Sequence, residues 1–170
     1  MYTQSQLEIP TLGPRRLRSP LIHSTTPNDG VGDFILDEAR MSLEPRFNVG
    51  DVPSPLGLEQ AGPREHIFFG PAKTKAAIVT CGGLCPGINN VIRTAVFELI
   101  HNYGVPEVLG IRYGFEGLNP NVGRQPIRLT CEMVENIHYQ GGTILGTSRG
   151  PQETASMVDF LVSEGVNVLL

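Results

Sequence analysis

The sequence predicts an α/β protein: a doubly wound (Rossmann-like), mostly parallel sheet with an extended N-terminal arm, truncated before the domain is complete. Three observations lead there. Residues 76–80 form a short apolar run of the kind buried on both faces of a parallel sheet. A Gly-rich loop and an amphipathic helical pattern follow, and they lead into a second strand pattern, which is the order of a βαβ unit. Prolines are unevenly placed: nine of the fourteen lie in residues 1–71, where no helical or strand period is sustained.

The first 72 residues divide into a flexible tail, residues 1–30, and an extended Pro-rich arm, residues 31–72. Turn or extended signals punctuate it at Asn28-Asp29-Gly30 and Pro53-Ser54-Pro55. The pattern changes at Lys73, and residues 73–170 carry the α/β domain. After the strand at 76–80 comes Cys81-Gly82-Gly83-Leu84-Cys85-Pro86-Gly87, and a helix starts near Ile88. Ile88, Val91, Ile92, Ala95, Val96, Leu99 and Ile100 recur as one face of that helix. Asn102 and Gly104 suit its end. Residues 105–113 give a second strand.

A second round follows. Residues 114–126 form a Gly/Asn/Pro loop. Thr130 is placed to cap a helix with Glu132 in its first turn, and that helix is expected to end at Gly141. Residues 143–145 read as extended. A third helix is expected over about 152–164, with Ala155, Val158, Leu161 and Val162 inward and Gly165 as its stop. Residues 166–170 begin a further strand, so the domain is expected to be incomplete at Leu170.

Composition narrows the function classes. The chain has 170 residues, 40% hydrophobic and 18% charged, with a formal net charge of −4. A sequence pI near 5.5 offers no basic surplus to neutralise phosphodiesters, so no nucleic-acid partner is expected. No stretch approaches the roughly 18 apolar residues of a membrane span, so no membrane partner is expected either. Cys81, Cys85 and Cys131 are odd in number, and their C-x-x-x-C spacing is neither a zinc knuckle nor a redox motif. Reduced thiols are expected, with Cys81 and Cys85 as packing residues. No paired carboxylates and no metal triad appear, so the metal-site expectation is none.

Two segments point to an anion. Gly82 and Gly83 let the backbone take positive φ and approach a ligand, while the following helix N-terminus carries about half a positive charge. The loop matches neither G-x-G-x-x-G nor G-x-x-x-x-G-K-[ST], and tight packing of helix on strand is the alternative reading of its glycines. In Gly141-Gly142-Thr143-Ile144-Leu145-Gly146-Thr147-Ser148-Arg149-Gly150, small residues flank one Arg just before a helix start. Its guanidinium fork suits phosphate oxygens, and Ser148 and Thr147 add hydroxyls. A third candidate is Tyr113-Gly114-Phe115-Glu116-Gly117-Leu118 at the carboxyl end of the second strand, where ligands of such folds bind. Tyr113 or Phe115 is placed to stack on a flat base, or to fill the loop's own core. Arg93 reads as a solvated residue on the polar side of the first helix.

Taken together, KAAIVTCGGLCPGINNVIRTAVFELI, GIRYGFEGL and GGTILGTSRGPQ resemble the phosphofructokinase family. The likeness is to its long-chain, ATP-dependent subgroup of plants, protists and bacteria, and Leu58 through Phe69 resembles that subgroup's arm. The resemblance covers residues 58–170 and, loosely, 31–57. It implies that Gly82 and Gly83 approach the ATP phosphates through the backbone and that Arg149 and Gly150 lie beside them, with Tyr113 and Ser148 as secondary candidates. It implies transfer of the γ-phosphoryl group of MgATP to the 1-hydroxyl of fructose 6-phosphate, in glycolysis, by an allosteric homo-oligomer. A cytoplasmic location follows, with glycosome or plastid as alternatives. The family's G-G-D/N-G-T loop and T-I-D-N-D segment, with the catalytic Asp and the Mg2+-handling acids, are absent from these 170 residues. No catalytic residue is therefore assigned; the catalytic group is expected beyond Leu170, and the chain alone is expected to be inactive. Alternatives are a pyrophosphate-dependent enzyme of the same family and a non-catalytic nucleotide-binding module. A dinucleotide oxidoreductase fails, because Tyr113 stands where its ribose-binding acid belongs.

Overall fold

The computed structural model describes residues 3–44, 46, 48–50 and 56–170. The turn expected at Pro53-Ser54-Pro55 lies outside the described residues. The chain divides into two units, Met1–Phe68 and Phe69–Leu170.

The first unit is built from paired short strands. Strand β1 (Leu17–Arg18) runs antiparallel to β6 (His66–Ile67), β2 (His23–Ser24) runs parallel to β3 (Gly32–Asp33), and β4 (Arg40–Ser42) runs antiparallel to β5 (Gly57–Glu59). Two of these strands, β1 and β2, fall within residues 1–30, where the sequence suggested only a tail. Strands of two residues are too short to show a period in the sequence. Arg64 ties the unit together. It donates to the carbonyls of Ile35 (3.0 Å), Leu36 (3.3 Å) and Gln60 (2.5 Å) and pairs with Glu59 at 3.0 Å. Prolines leave few ladder bonds available here, and one guanidinium with five donors supplies several at once.

The second unit holds a four-stranded sheet in the order β10-β7-β8-β9. Strand β7 (Lys75–Val79) pairs in parallel with β8 (Glu107–Ile111) and with β10 (Val168–Leu169), while β9 (Ile127–Arg128) joins β8 antiparallel. Alternation along β7 and β8 explains how both faces are covered. Ala76, Ile78 and Val108 face a core with Ile92, Val96, Val105, Leu129, Val134, Ile137 and Leu145. Ala77, Leu109 and Ile111 face the other side with Leu118, against Met157, Phe160, Leu161 and Val166. Helix α1 (Ile88–Phe97) covers the first face and helix α3 (Thr154–Ser163) the second, which is the doubly wound arrangement expected.

Several local expectations are corrected. On α1, Val91 is 69% exposed, while the other residues of the expected face pack on the core, with Ile92 and Val96 buried and Asn89 buried beside them. The helix continues as a π-helical turn over Glu98–Asn102. Thr130 caps α2 (Cys131–Val134) by accepting from the Met133 N–H at 3.3 Å, but the helix is four residues long. Asn136 leaves helical geometry at φ −113, ψ 6, and one 3-10 turn (Ile137–Tyr139) replaces the rest. On α3 the inward face is Met157, Phe160 and Leu161, whereas Val158 and Val162 are exposed. Apolar residues line both sides of α3, so the period alone did not choose, and the larger side chains bury more area. Residues 143–145 are not extended. Thr143 Oγ1 accepts from the Leu145 N–H at 3.1 Å and the Gly146 N–H closes on the Thr143 carbonyl at 3.2 Å, a local turn that competes with pairing in the sheet.

One glycine fixes where that turn sits. A Cβ on Gly110 of β8 would lie 2.5 Å from Leu145 Cδ2, so the missing side chain is the socket that Leu145 fills. Leu145 is 1% exposed there.

Candidate functional site

Because β7 and β8 are parallel, their carboxyl ends lie along one edge, and three segments converge there: residues 80–83, 113–116 and 143–149. Tyr113 N–H donates to the Leu145 carbonyl at 2.7 Å. Thr80 Oγ1 donates to the Gly146 carbonyl at 2.7 Å and lies 3.0 Å from Thr143 Oγ1. The Gly83 N–H donates to Thr147 Oγ1 at 3.2 Å, and the Glu116 N–H donates to Ser148 Oγ at 3.4 Å. All three segments singled out from the sequence thus meet in one place.

The two principal candidates meet most directly. Gly83 has φ 115, and a Cβ built on it would lie 3.4 Å from Arg149 Nη2. Gly82 has φ 87 with open space around its missing side chain, and Gly150 has φ 105, likewise open. Gly87, at φ 90, precedes the first turn of α1, whose N–H groups receive no side-chain cap. Arg149 is exposed and makes no ion pair among the described residues. A guanidinium beside open glycine backbone is an arrangement that can accept an anion's oxygens. The hydroxyl oxygens of Thr147 and Ser148 are engaged as acceptors, which leaves their hydrogens to donate outward.

Tyr113 holds the left-handed region at φ 60, a conformation that costs a non-glycine residue roughly 1–3 kcal/mol unless its surroundings impose it. Here they do. The ring packs against Gly146, where a Cβ would lie 2.9 Å from Tyr113 Cδ1, and the Arg124 guanidinium stands 4.1 Å from the ring centroid. Arg124 in turn pairs with Glu116 at 2.8 Å. Tyr113 is therefore already stacked, and Phe115, 41% exposed, is the freer aromatic.

Cys81 and Cys85 are exposed rather than packed. Although Cys81 as a residue is exposed, its sulfur lies over Gly114. Partial burial pushes its thiol pKa up, and a hydrogen bond with the Phe115 backbone only partly offsets this. The neutral thiol is the favoured form, the opposite of what an attacking thiolate requires. Arg93 is not simply solvated: Nε donates to the Glu135 carbonyl at 3.0 Å and the guanidinium covers Phe97 at 4.5 Å. Among the described residues no group of three or more His, Cys, Asp or Glu side chains is arranged to hold a metal ion.

Asn89 was not singled out from the sequence. It is 2% exposed, donates from Nδ2 to the Gln140 carbonyl at 3.0 Å, and accepts from the Ile144 N–H at 2.9 Å. A signal existed: Asn89 lies three and seven residues before Ile92 and Val96, on the inward stripe of α1, where an amide must find partners.

Comparison with known proteins shows the family. The family model described as phosphofructokinase matches residues 75–170. The ATP-dependent 6-phosphofructokinase of Entamoeba histolytica is 53% identical over 112 residues, which is 66% of this chain and 26% of that protein. The enzyme of the same name from Trypanosoma brucei brucei is 45% identical over 81% of this chain and 28% of its own length. That from Borreliella burgdorferi is 39% identical over 95% of this chain and 36% of its own length. The chain thus spans about a quarter to a third of these relatives. Among solved structures, Pichia pastoris phosphofructokinase in the T-state superposes with a TM-score of 0.50 at 32% identity, over 64% of this chain and 11% of that one. From the apolar β7 through the Gly82–Gly83 loop to Arg149, the chain belongs to the phosphofructokinase family.

Proposed function

We propose that this chain supplies the donor-nucleotide phosphate site of an ATP-dependent 6-phosphofructokinase. The observation that carries the reading is the approach of Arg149 to Gly83 at the carboxyl ends of two parallel strands. The relatives' names give the donor as ATP. In the reaction, the 1-hydroxyl oxygen of fructose 6-phosphate attacks the γ-phosphorus of ATP. The bond to the β,γ-bridging oxygen breaks, ADP leaves, and the hydroxyl proton passes to a base. Such transfer depends mostly on positioning and on stabilising charge at the phosphoryl oxygens. Arg149 holds charge against the phosphates, and the backbone at Gly82, Gly83 and Gly150 lets them come close.

When bound with the nucleotide, magnesium would supply positive charge that offsets the phosphates. The described residues do not fit a protein-held magnesium site, since no acidic cluster is present and Glu116 is committed to Arg124. No step is therefore assigned to the metal in this chain. A cytoplasmic, homo-oligomeric enzyme with fructose 6-phosphate as acceptor completes the proposal.

Calorimetric titration of the 170-residue chain tests the site. ATP and ADP are expected to compete for one site, and a folded chain that binds neither would overturn it. Fructose 6-phosphate-dependent ADP release is expected to be absent from this chain, because its sequence contains no T-I-D-N-D segment. On the natural gene product, turnover is expected with ATP. Turnover with pyrophosphate alone would overturn the donor assignment.

A further inference from the structure

We infer that Asn89 is a positioning residue that fastens the Arg149-bearing segment for the nucleotide phosphates; the inference rests on the donor-site reading above. The segment leaves α2 and its 3-10 turn through Gly141-Gly142, and Gly142 has φ 79. Two consecutive glycines form the most flexible joint a chain has, because each populates backbone regions closed to other residues. Left alone, that joint would let residues 143–149 move as a loop.

Asn89 bridges the joint from outside. Its amide nitrogen takes the carbonyl of Gln140 on one side, at 3.0 Å, and its amide oxygen takes the N–H of Ile144 on the other, at 2.9 Å. One planar amide with its donor and acceptor both used fixes the separation and direction of the two flanks. The residue is 2% exposed, so water cannot replace either bond, and each group left unpaired would carry its full desolvation cost. Asn89 also lies in the first turn of α1, two residues after the Gly87 that ends the glycine loop. The same side chain therefore refers both anion-facing segments to one rigid helix. Beyond the joint, the Thr80–Thr143 contact and the Tyr113–Leu145 bond hold the segment to the strand ends. Among the described residues, Asn89 alone makes hydrogen bonds on both sides of the glycines.

Four chains test this: unmodified, Asn89→Leu, Arg149→Ala, and the double variant. Two readouts are taken from each: ATP affinity by calorimetry, and amide hydrogen exchange of the unliganded chain. Loss of two buried hydrogen bonds is expected to weaken ATP binding about tenfold. Exchange at Ile144 through Arg149 is expected to quicken while the amides of β7 and β8 stay protected. The double variant is expected to bind no worse than Arg149→Ala alone, because Asn89 acts through the segment that carries Arg149. Losses that multiply in the double variant, or exchange that rises evenly through β7 and β8, would show a general packing role and overturn the inference. If Asn89→Leu does not fold, Asn89→Asp takes its place, since it keeps an acceptor for the Ile144 N–H and lacks the donor to Gln140. An unmodified chain that binds no ATP overturns the donor-site reading itself. Binding by the unmodified chain with multiplying losses overturns only the role of Asn89.

Discussion

Replacing Arg149 by Ala removes a charge without disturbing any packing, because the side chain is exposed and makes no ion pair among the described residues. Its Nη2 lies 3.4 Å from where a Gly83 side chain would begin, so an anion oxygen seated over Gly83 falls within hydrogen-bonding reach. Two unit charges about 4 Å apart attract by about 1 kcal/mol in bulk water and about 4 kcal/mol at the effective dielectric near a protein surface. Ordering a free Arg offsets part of this, and a charge-assisted hydrogen bond contributes about 1.5–3 kcal/mol net. ATP affinity is therefore expected to fall by roughly 10- to 150-fold at 25 °C. Adenosine, which carries no phosphate, is expected to bind the variant and the unmodified chain alike. Arg149→Lys restores the charge but not the fork, and is expected to recover part of the loss. Screening shortens from about 10 Å at 0.1 M salt to about 3 Å at 1 M, so the gap between variant and unmodified chain narrows as salt rises. Isothermal titration with ATP and adenosine at the two salt concentrations measures all of this. ATP affinity within twofold of the unmodified chain, or equal losses for ATP and adenosine, would refute the placement of phosphate at Arg149.

The corrected face of α1 gives a second test. Ile92 is 1% exposed and Val91 is 69% exposed, so Ile92→Ala is expected to cost about 2–5 kcal/mol and Val91→Ala less than about 0.5 kcal/mol; thermal unfolding followed by circular dichroism separates them. The third concerns pH. Burial raises the thiol pKa of Cys81 in the folded chain, so folding favours the neutral thiol. The stability this contributes is complete below the unfolded pKa and is lost as pH rises through the folded one. In a chain with Cys85→Ser and Cys131→Ser, the pH midpoint for alkylation of Cys81 is expected above that of a cysteine peptide, and a midpoint at or below the peptide's would contradict the burial of its sulfur.

Much of the site was legible in the sequence because its determinants are local. A buried strand, paired glycines and an amphipathic helix follow one another in β7, residues 82–87 and α1, and each shows in composition or period. Arg149 was legible because a cation before a helix start lacks a local reason to be there. Asn89 was missed because its partners, Gln140 and Ile144, lie 51 and 55 residues away, and no window of sequence holds both. The turn at residues 143–146 was misread as extended for a related reason. Thr143 and Ile144 favour strands, but a hydroxyl that bonds the chain two residues on decides otherwise. Strand β9 escaped notice because two residues cannot display alternation. In the first unit, the bonds of Arg64 reach from Ile35 to Gln60, so prolines that looked like markers of loose chain in fact border a hydrogen-bonded knot.

The seating of Leu145 in the socket of Gly110 also governs where the chain can change length. Leu145 is a fixed root, and Arg149 stands four residues on, just past Thr147 and Ser148, which accept from the Gly83 and Glu116 N–H groups. An added residue advances an extended chain by about 3.3–3.6 Å, so one insertion between them carries the guanidinium past hydrogen-bonding range of Gly83. Insertions and deletions should therefore be excluded from residues 146–148, a pattern of spacing rather than of residue identity.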